Sequence, residues 1–219
     1  MSMNFDQARF NMVEQQVRPW DVLDADVLAV LTRVRREDFV ADAHRALAFA
    51  DLSLPLGHGE FMMKPVVEGR LLQALALGGG DSVLEIGTGS GFLTACLASL
   101  AQDVLSVEQH ADLAEQARQR LATAGLRNAQ IEVAEAIVGF LTQRQFDVVV
   151  LTGAVHAIPE RFLPWLKPGG RLFAIRGESP VQQAVLLRDD GNGRRTEQSL
   201  FETDLPYLSH AAPPPRFSL

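Results

Sequence analysis

The chain has 219 residues, of which 47% are hydrophobic and 21% are charged, as is typical of a globular protein with one substantial domain. Its formal net charge of -7 argues against a nucleic-acid partner, because a phosphate backbone is normally bound by a basic face. The single cysteine, Cys96, excludes an internal disulfide and a cysteine-rich metal site, and no apolar run reaches the length that spans a bilayer.

Residues 4–47 are predicted to form helices. Apolar residues recur at helical spacing along the first helix until Pro19 interrupts the pattern. Asp24 is placed to cap a second helix, whose apolar residues share one face. A loop is predicted over 50–64, and Pro65 suits the first turn of the helix that follows.

Strands and helices alternate from residue 82 onward. The predicted strands are 82–86, 104–108, 130–134, 146–151 and 171–175, and the predicted helices are 92–100 and 111–124. The run 146–151 is apolar throughout, which indicates a parallel strand buried on both faces. Residues 167–170 are predicted to form a turn into the strand 171–175. Residues 181–188 and 195–202 are predicted to form a terminal hairpin around the Gly- and Asp-rich loop between them. The alternation predicts an α/β fold with a doubly wound, mainly parallel sheet, antiparallel C-terminal strands and an N-terminal helical cap.

The most informative stretch is 83–91, in which Gly87, Gly89 and Gly91 follow a short apolar strand and precede an apolar helix. Glycine lets a main chain turn sharply and pass close beneath a ligand. A strand, a glycine turn and a helix N-terminus together form a nucleotide-type binding corner in α/β proteins. We therefore predict a nucleoside-type ligand at this turn.

The residues around the glycines indicate which ligand. A dinucleotide fold requires a small residue at position 92, where this chain has Phe92, so a nicotinamide-dependent oxidoreductase is disfavoured. Glu85 lies two residues before the first glycine. Glu108 ends the next predicted strand, where an acid suits the two hydroxyls of a ribose. This order of acid, glycine triplet and second acid resembles the S-adenosylmethionine site of class I methyltransferases.

The resemblance extends beyond this motif, over roughly residues 10–208, to the protein-L-isoaspartate O-methyltransferases. The segments that carry it are 12–14, 36–40, 48–51, 54–59, 84–91, 146–147, 158–159 and 166–170. It implies a Rossmann-like methyltransferase sheet and transfer of a methyl group from S-adenosyl-L-methionine to the α-carboxylate of an isoaspartyl residue, leaving S-adenosyl-L-homocysteine. A carboxylate is already ionised at neutral pH, so this chemistry needs positioning and exclusion of water rather than a general base.

The resemblance also assigns the cofactor to the glycine turn. Glu108 would hold the ribose, Glu85 the methionine end through a short network, and Glu135 the adenine amino group, in place of the acid in the family's G-D-G turn. The full set of predicted cofactor-binding residues is Glu85, Gly87, Thr88, Gly89, Gly91, Glu108, Gln109, Glu135 and Ala136.

The loop that follows the second predicted helix departs from the family. Where the family has Q-T-I-S-x-P, residues 60–65 read E-F-M-M-K-P, so two hydroxyls are replaced by apolar side chains. Either Lys64 or His58 now recognises the acceptor carboxylate, or the pocket is rebuilt for a more apolar acceptor. Met63, Lys64 and His58 are therefore the candidate catalytic residues, and His156 is a further candidate for orienting the acceptor.

The leading prediction is an S-adenosylmethionine-dependent O-methyltransferase that acts on isoaspartyl sites of damaged proteins. Two alternatives stay open, a methyltransferase for a different acceptor and a cofactor-binding interaction protein without catalysis. The expected partner is a protein or peptide that bears a carboxylate, with no nucleic acid, no membrane and no metal. No signal peptide is recognisable at the N-terminus, so we expect a cytoplasmic protein that is a monomer or a weak dimer.

The chain is predicted to be one compact unit with three parts. Residues 1–77 would form the helical cap and the substrate loop, and residues 78–210 the S-adenosylmethionine-binding core. Residues 211–219 would form an extended, proline-rich tail.

Overall fold

A computed structural model describes residues 3–214. The helices are α1 (Phe5–Met12), α2 (Ala25–Arg33), α3 (Pro65–Leu75), α4 (Phe92–Leu100) and α5 (Ala111–Thr123). The strands are β1 (Leu54–Gly57), β2 (Glu60–Met62), β3 (Ser82–Ile86), β4 (Asp103–Glu108), β5 (Ala129–Val133), β6 (Phe146–Val155), β7 (Leu166–Glu178), β8 (Val181–Asp189) and β9 (Arg195–Thr203).

Seven of these strands form one sheet in the order β5-β4-β3-β6-β7-β8-β9. The pairs from β5 to β7 are parallel, and β8 and β9 complete the sheet with antiparallel pairs. The prediction of a mainly parallel sheet with an antiparallel end is confirmed. Strand order reverses between β3 and β6, and in open α/β sheets the crevice at such a switch point is where ligands bind.

Side chains of the central strands alternate between two buried layers. Val83 of β3 packs in the layer that contains α2, α3 and α4, and its neighbour Leu84 packs in the other. The second layer is covered by residues 136–140 and the helical turn Glu160–Trp165. The layers account for the unbroken apolar run of β6, which is buried on both faces. Cys96 is fully buried in α4, as its apolar neighbours predicted.

The N-terminal cap is helical, as predicted. Asp24 caps α2 by accepting hydrogen bonds from the backbone N–H groups of Asp26 and Val27. The first helix continues beyond α1 as a π-helix, Val13–Val17, and a 3-10 turn that contains Pro19. Among residues 3–214, no helix is both long and apolar enough to cross a membrane.

Two predicted loops are wrong in part. The loop over 50–64 contains an antiparallel hairpin, β1–β2, in which Pro55 pairs with Phe61. Its strands have only four and three residues, too few for a periodic pattern to be seen. The predicted turn over 167–170 lies inside β7, at an irregularity in its pairing with β6. Residues 211–214 form neither helix nor strand, and the rest of the predicted tail lies outside the described residues.

Candidate active site

A cleft of about 760 Å³, counting the part open to solvent, lies at the carboxyl ends of β3 and β4. Its walls are the glycine turn, the residues that follow β4 and β5, the β1–β2 hairpin and residues 205–209. This is the crevice at the switch point of the sheet.

The floor of the cleft is the glycine turn. Gly87, Gly89 and Gly91 all have a positive φ, between 53° and 97°, a region that other residues rarely adopt. A Cβ atom at Gly87 would lie 2.2 Å from Oγ1 of Thr152, and one at Gly89 would lie 3.0 Å from Cδ1 of Leu56. A side chain at Gly87 or Gly89 would crowd another part of the protein, so the turn requires glycine at both positions.

Glu108 is fixed against this turn. Its carboxylate accepts hydrogen bonds from the backbone N–H of Gly89 at 2.8 Å and from that of His110 at 3.0 Å. The side chain is buried and lines the cleft, and each carboxylate oxygen retains a lone pair for a ligand hydroxyl. Its neighbour Gln109 also lines the cleft and donates to Oε1 of Glu60 in the hairpin at 3.1 Å.

Glu85 lies behind the glycine turn in a buried network. Its Oε2 accepts hydrogen bonds from Thr94 at 2.5 Å and from Ser106 at 2.6 Å, and the Ser106 hydroxyl is 2.5 Å from that of Thr88. Among the described residues, its Oε1 has no partner. Burial raises the pKa of Glu85 to about 8, and the nearby charge of Glu108 contributes in the same direction.

Replacing Glu85 with glutamine is expected to stabilise the ligand-free protein, and increasingly so as the pH rises from 5 to 8. The unfolded chain loses this proton near the ordinary pKa of glutamate, whereas the folded protein keeps it until about pH 8. The free energy of unfolding of the natural chain therefore falls with rising pH, by up to ~1.4 kcal/mol per pH unit from this group. The variant has no carboxyl group at this position, so its free energy of unfolding does not fall for this reason.

Urea denaturation of both proteins at pH 5 and at pH 8 measures this effect. The free energy of unfolding of Glu85→Gln, relative to that of the natural protein, should increase by roughly 2–4 kcal/mol between pH 5 and pH 8. Other titrating groups contribute equally to both proteins and cancel in the difference. An advantage that does not change with pH would show that Glu85 is ionised in the folded protein.

Glu135 and Ala136 line the cleft after β5. The Glu135 carboxylate caps a turn, accepting hydrogen bonds from the backbone N–H of Ile137 at 3.1 Å and of Val138 at 2.7 Å. These bonds fix the carboxylate at the edge of the cleft, on the strand next to that of Glu108. The structure thus brings the predicted ribose and adenine acids to one cleft.

The three predicted catalytic residues are placed differently. Met63 lines the cleft and is buried, and Lys64 precedes α3 outside the lining. His58 lies at the tip of the hairpin, where its Nε2 is 2.9 Å from Oδ2 of Asp112 and its ring stacks on that of His110 at 4.1 Å. These contacts fasten the hairpin to the start of α5 across the cleft.

The remaining candidate, His156, lies outside the lining of the cleft. Its Nδ1 is 3.9 Å from Oε1 of Glu178, and both side chains are partly exposed. Residues that the sequence analysis did not single out do line the cleft, including Thr152 and Tyr207. Thr152 donates to the carbonyl of Gly87 at 2.7 Å.

Arg36 is a fully buried residue whose role the sequence analysis missed. Its guanidinium group forms an ion pair with Glu68 and donates to the carbonyls of Met63 at 2.6 Å and Ala48 at 2.8 Å. It also lies 4.6 Å above the ring of Phe92 in α4. One cation thus ties the altered loop to three other segments. In the sequence, its charged neighbours indicate a surface position, and only the family resemblance of 36–40 singles it out.

Comparison with known proteins gives consistent matches. A family model described as protein-L-isoaspartate(D-aspartate) O-methyltransferase matches residues 8–205. The protein-L-isoaspartate O-methyltransferase of Trichlorobacter lovleyi is 36% identical over 197 residues, which cover 90% of this chain and 91% of the relative. That of Geobacter metallireducens is 37% identical over 191 residues, covering 87% and 88%.

A solved structure has the same fold. It is a Plasmodium falciparum protein described as a protein-L-isoaspartate O-methyltransferase in complex with S-adenosyl-L-homocysteine. The TM-score is 0.79 at 18% identity, and the match covers 95% of this chain and 99% of that one.

Proposed function

The chain belongs to the protein-L-isoaspartate O-methyltransferase family, and from this premise we propose that it transfers the methyl group of S-adenosyl-L-methionine to the α-carboxylate of isoaspartyl residues in damaged proteins. The observation that carries the proposal is the cleft at the switch point. It combines a glycine turn without side chains and the fixed carboxylate of Glu108 at the place where a nucleoside is expected. The free lone pairs of Glu108 and the backbone of Gly87 and Gly89, which line the cleft, fit this ligand.

The residues that would hold the cofactor follow from their places in the cleft. Glu108 would accept from the ribose hydroxyls and Glu135 from the adenine amino group. Glu85 would act through Ser106 and Thr88 on the methionine end. When bound, S-adenosylmethionine supplies an electrophilic methyl group on a sulfonium sulfur.

The chain itself contributes positioning and exclusion of water. The acceptor carboxylate is ionised at neutral pH, so no residue need remove a proton from it. An apolar wall lies beside the glycine turn. It consists of Leu56 and Met62 in the hairpin and of Met63, which follows the hairpin. Such a wall keeps water away and strengthens the remaining electrostatic contacts.

Phe61 and Met63 favour a second candidate, methylation of a more apolar acceptor. Phe61 is 46% exposed at the cleft and Met63 is buried in its lining, where the family resemblance leads one to expect hydroxyl groups. His58 is engaged by Asp112, so its availability to an acceptor carboxylate is reduced. Transfer of labelled methyl to an isoaspartyl peptide, with its aspartyl twin as control, distinguishes the two candidates, because only the first predicts selective labelling.

Restoring the two hydroxyls is expected to raise activity on the isoaspartyl peptide. Each charge-assisted hydrogen bond to a carboxylate contributes about 1.5–3 kcal/mol, so Phe61→Thr with Met63→Ser should increase kcat/KM by about tenfold or more. Phe61→Leu with Met63→Leu is the control, because it changes shape without adding donors. If the threonine and serine variant gains nothing over this control, the acceptor is of another kind.

The family acts on protein substrates, and we propose that this chain does so as a cytoplasmic monomer or weak dimer. The division into a cap over 1–77 and a core over 78–210 remains a prediction. One hydrophobic cluster that contains residues of both supports a single compact unit. Gel filtration at several concentrations would test the oligomeric state.

A further inference from the structure

Glu68 is a buried carboxyl group beside the cleft that the proposed function does not use. It lies in the first turns of α3, and its side chain is only 2% exposed. Together with Met63 and residues 87–90, it lines a side chamber of about 300 Å³, counting the part open to solvent. The chamber adjoins the main cleft, and Thr152 belongs to the walls of both.

The two oxygens of the Glu68 carboxyl group have different surroundings. Oε2 accepts a hydrogen bond from Nη1 of Arg36, which is itself held by two backbone carbonyls and the ring of Phe92. Within residues 3–214, the hydrogen bonds of this carboxyl group involve Oε2 alone. Since Glu68 lines the chamber, Oε1 has lone pairs that can accept a hydrogen bond from a ligand there.

The chamber favours a cationic donor. Its described lining contains no lysine, arginine or histidine that could place a positive charge beside Oε1. The hydroxyl of Thr88 is hydrogen-bonded to that of Ser106, and the hydroxyl of Ser90 accepts from the backbone N–H of Phe92. Burial raises the pKa of Glu68 to about 7 even beside Arg36, so the carboxyl group is only partly ionised at neutral pH. A cation next to Oε1 would stabilise the ionised form.

The position of the chamber relates it to one end of the cofactor. Glu108 and Glu135 line the main cleft but not the side chamber. A ligand whose ribose and adenine contact these two acids has its amino-acid end left for the glycine turn and the chamber beyond it. That end carries an ammonium group and a carboxylate, and of these only the ammonium group can donate a hydrogen bond to Oε1.

We infer that Glu68 accepts a hydrogen bond from the α-ammonium group of the cofactor's methionine portion. This inference rests on the proposed function. Glu85 lines neither chamber, so its effect on the same end is indirect, through Ser106 and Thr88. The direct contact belongs to a residue of the N-terminal cap.

The test compares two ligands that differ by one amino group, S-adenosylhomocysteine and its deaminated analogue. Calorimetry gives the Kd of each for the natural protein and for Glu68→Gln. We expect the variant to bind S-adenosylhomocysteine about 10- to 100-fold more weakly, because a charge-assisted hydrogen bond is lost. Its affinity for the deaminated analogue should change less than about threefold.

Glu37→Gln is the matched control, since it neutralises another buried glutamate that is paired with an arginine and lines neither the main cleft nor the side chamber. It should keep the natural protein's preference for the ligand with the amino group. Equal weakening of both ligands by Glu68→Gln would overturn the inference and leave Glu68 as a support of the wall. An unchanged Kd for both would place the ammonium elsewhere. If the natural protein binds neither ligand, the proposed function itself fails.

A second measurement uses only the natural protein and covers the case in which Glu68→Gln does not fold. Glu68 interacts electrostatically with the charged or titratable groups of Arg36, Asp51, Glu85 and Cys96. Calorimetry at pH 7 in two buffers of different ionisation enthalpy counts the protons released on binding. S-adenosylhomocysteine should release more protons than its deaminated analogue, and Glu37→Gln should retain this difference. Equal release for both ligands would overturn the inference.

Discussion

Replacing Arg36 with methionine is expected to lower the free energy of unfolding by about 3–5 kcal/mol, the usual effect of removing one partner of a buried ion pair. The change leaves the carboxyl group of Glu68 without its counterion in a site from which water is largely excluded. It also removes the donors to the carbonyls of Met63 and Ala48. Each buried carbonyl that is left without a donor lowers the free energy of unfolding further.

Urea denaturation of Arg36→Met measures this effect, and Arg35→Met provides the matched control. Arg35 is the preceding residue, but its side chain is 57% exposed. It pairs with the partly exposed Asp38 and with the buried Glu37, which keeps Arg9 as a second partner. We expect the control to unfold almost as the natural chain does. The free energy of unfolding of Arg36→Lys should lie between those of Arg36→Met and Arg35→Met. A lysine keeps the positive charge but lacks the planar guanidinium group that contacts several acceptors. If Arg36→Met lowers the free energy of unfolding no more than Arg35→Met does, the buried cation contributes little to the stability of the fold.

Replacing Gly87 with alanine is expected to weaken S-adenosylhomocysteine binding by more than about 100-fold, or to abolish it, because the turn would have to move. Gly87 has a φ of 97°, and the added methyl group would lie 2.2 Å from Oγ1 of Thr152. That hydroxyl donates to the carbonyls of Ile86 and Gly87, so it has no open direction in which to turn without losing these bonds. The strain and the clash act at the point where the ligand would contact the backbone.

Gly80→Ala is the matched control for this change. Gly80 precedes β3, has no strained φ, and has no atom within 4 Å of the position that its Cβ would take. Binding and thermal unfolding of both variants separate a local loss of affinity from a general loss of stability. Normal binding by Gly87→Ala would contradict the assignment of the cofactor to this turn.

The sheet and the glycine turn could be predicted from the sequence because their signals are local. The apolar run of 146–151 and the glycines of 87–91 each constrain the backbone within a few residues. The Arg36–Glu68 pair could not be predicted in this way, because its partners are 32 residues apart and their burial depends on how α3 packs. His58 was expected to contact the acceptor because it adjoins the altered loop, and only the structure shows its bond to Asp112.

The contact between His58 and Asp112 has a consequence for the exchange of ligands. Both side chains are largely exposed, at 43% and 58%, so the ion pair that fastens the hairpin is screened by water and is weak. A contact of this strength adds little to the free energy needed to open the hairpin. The residence time of the cofactor is therefore set by its own contacts in the cleft, and product release should be only slightly faster when this ion pair is removed.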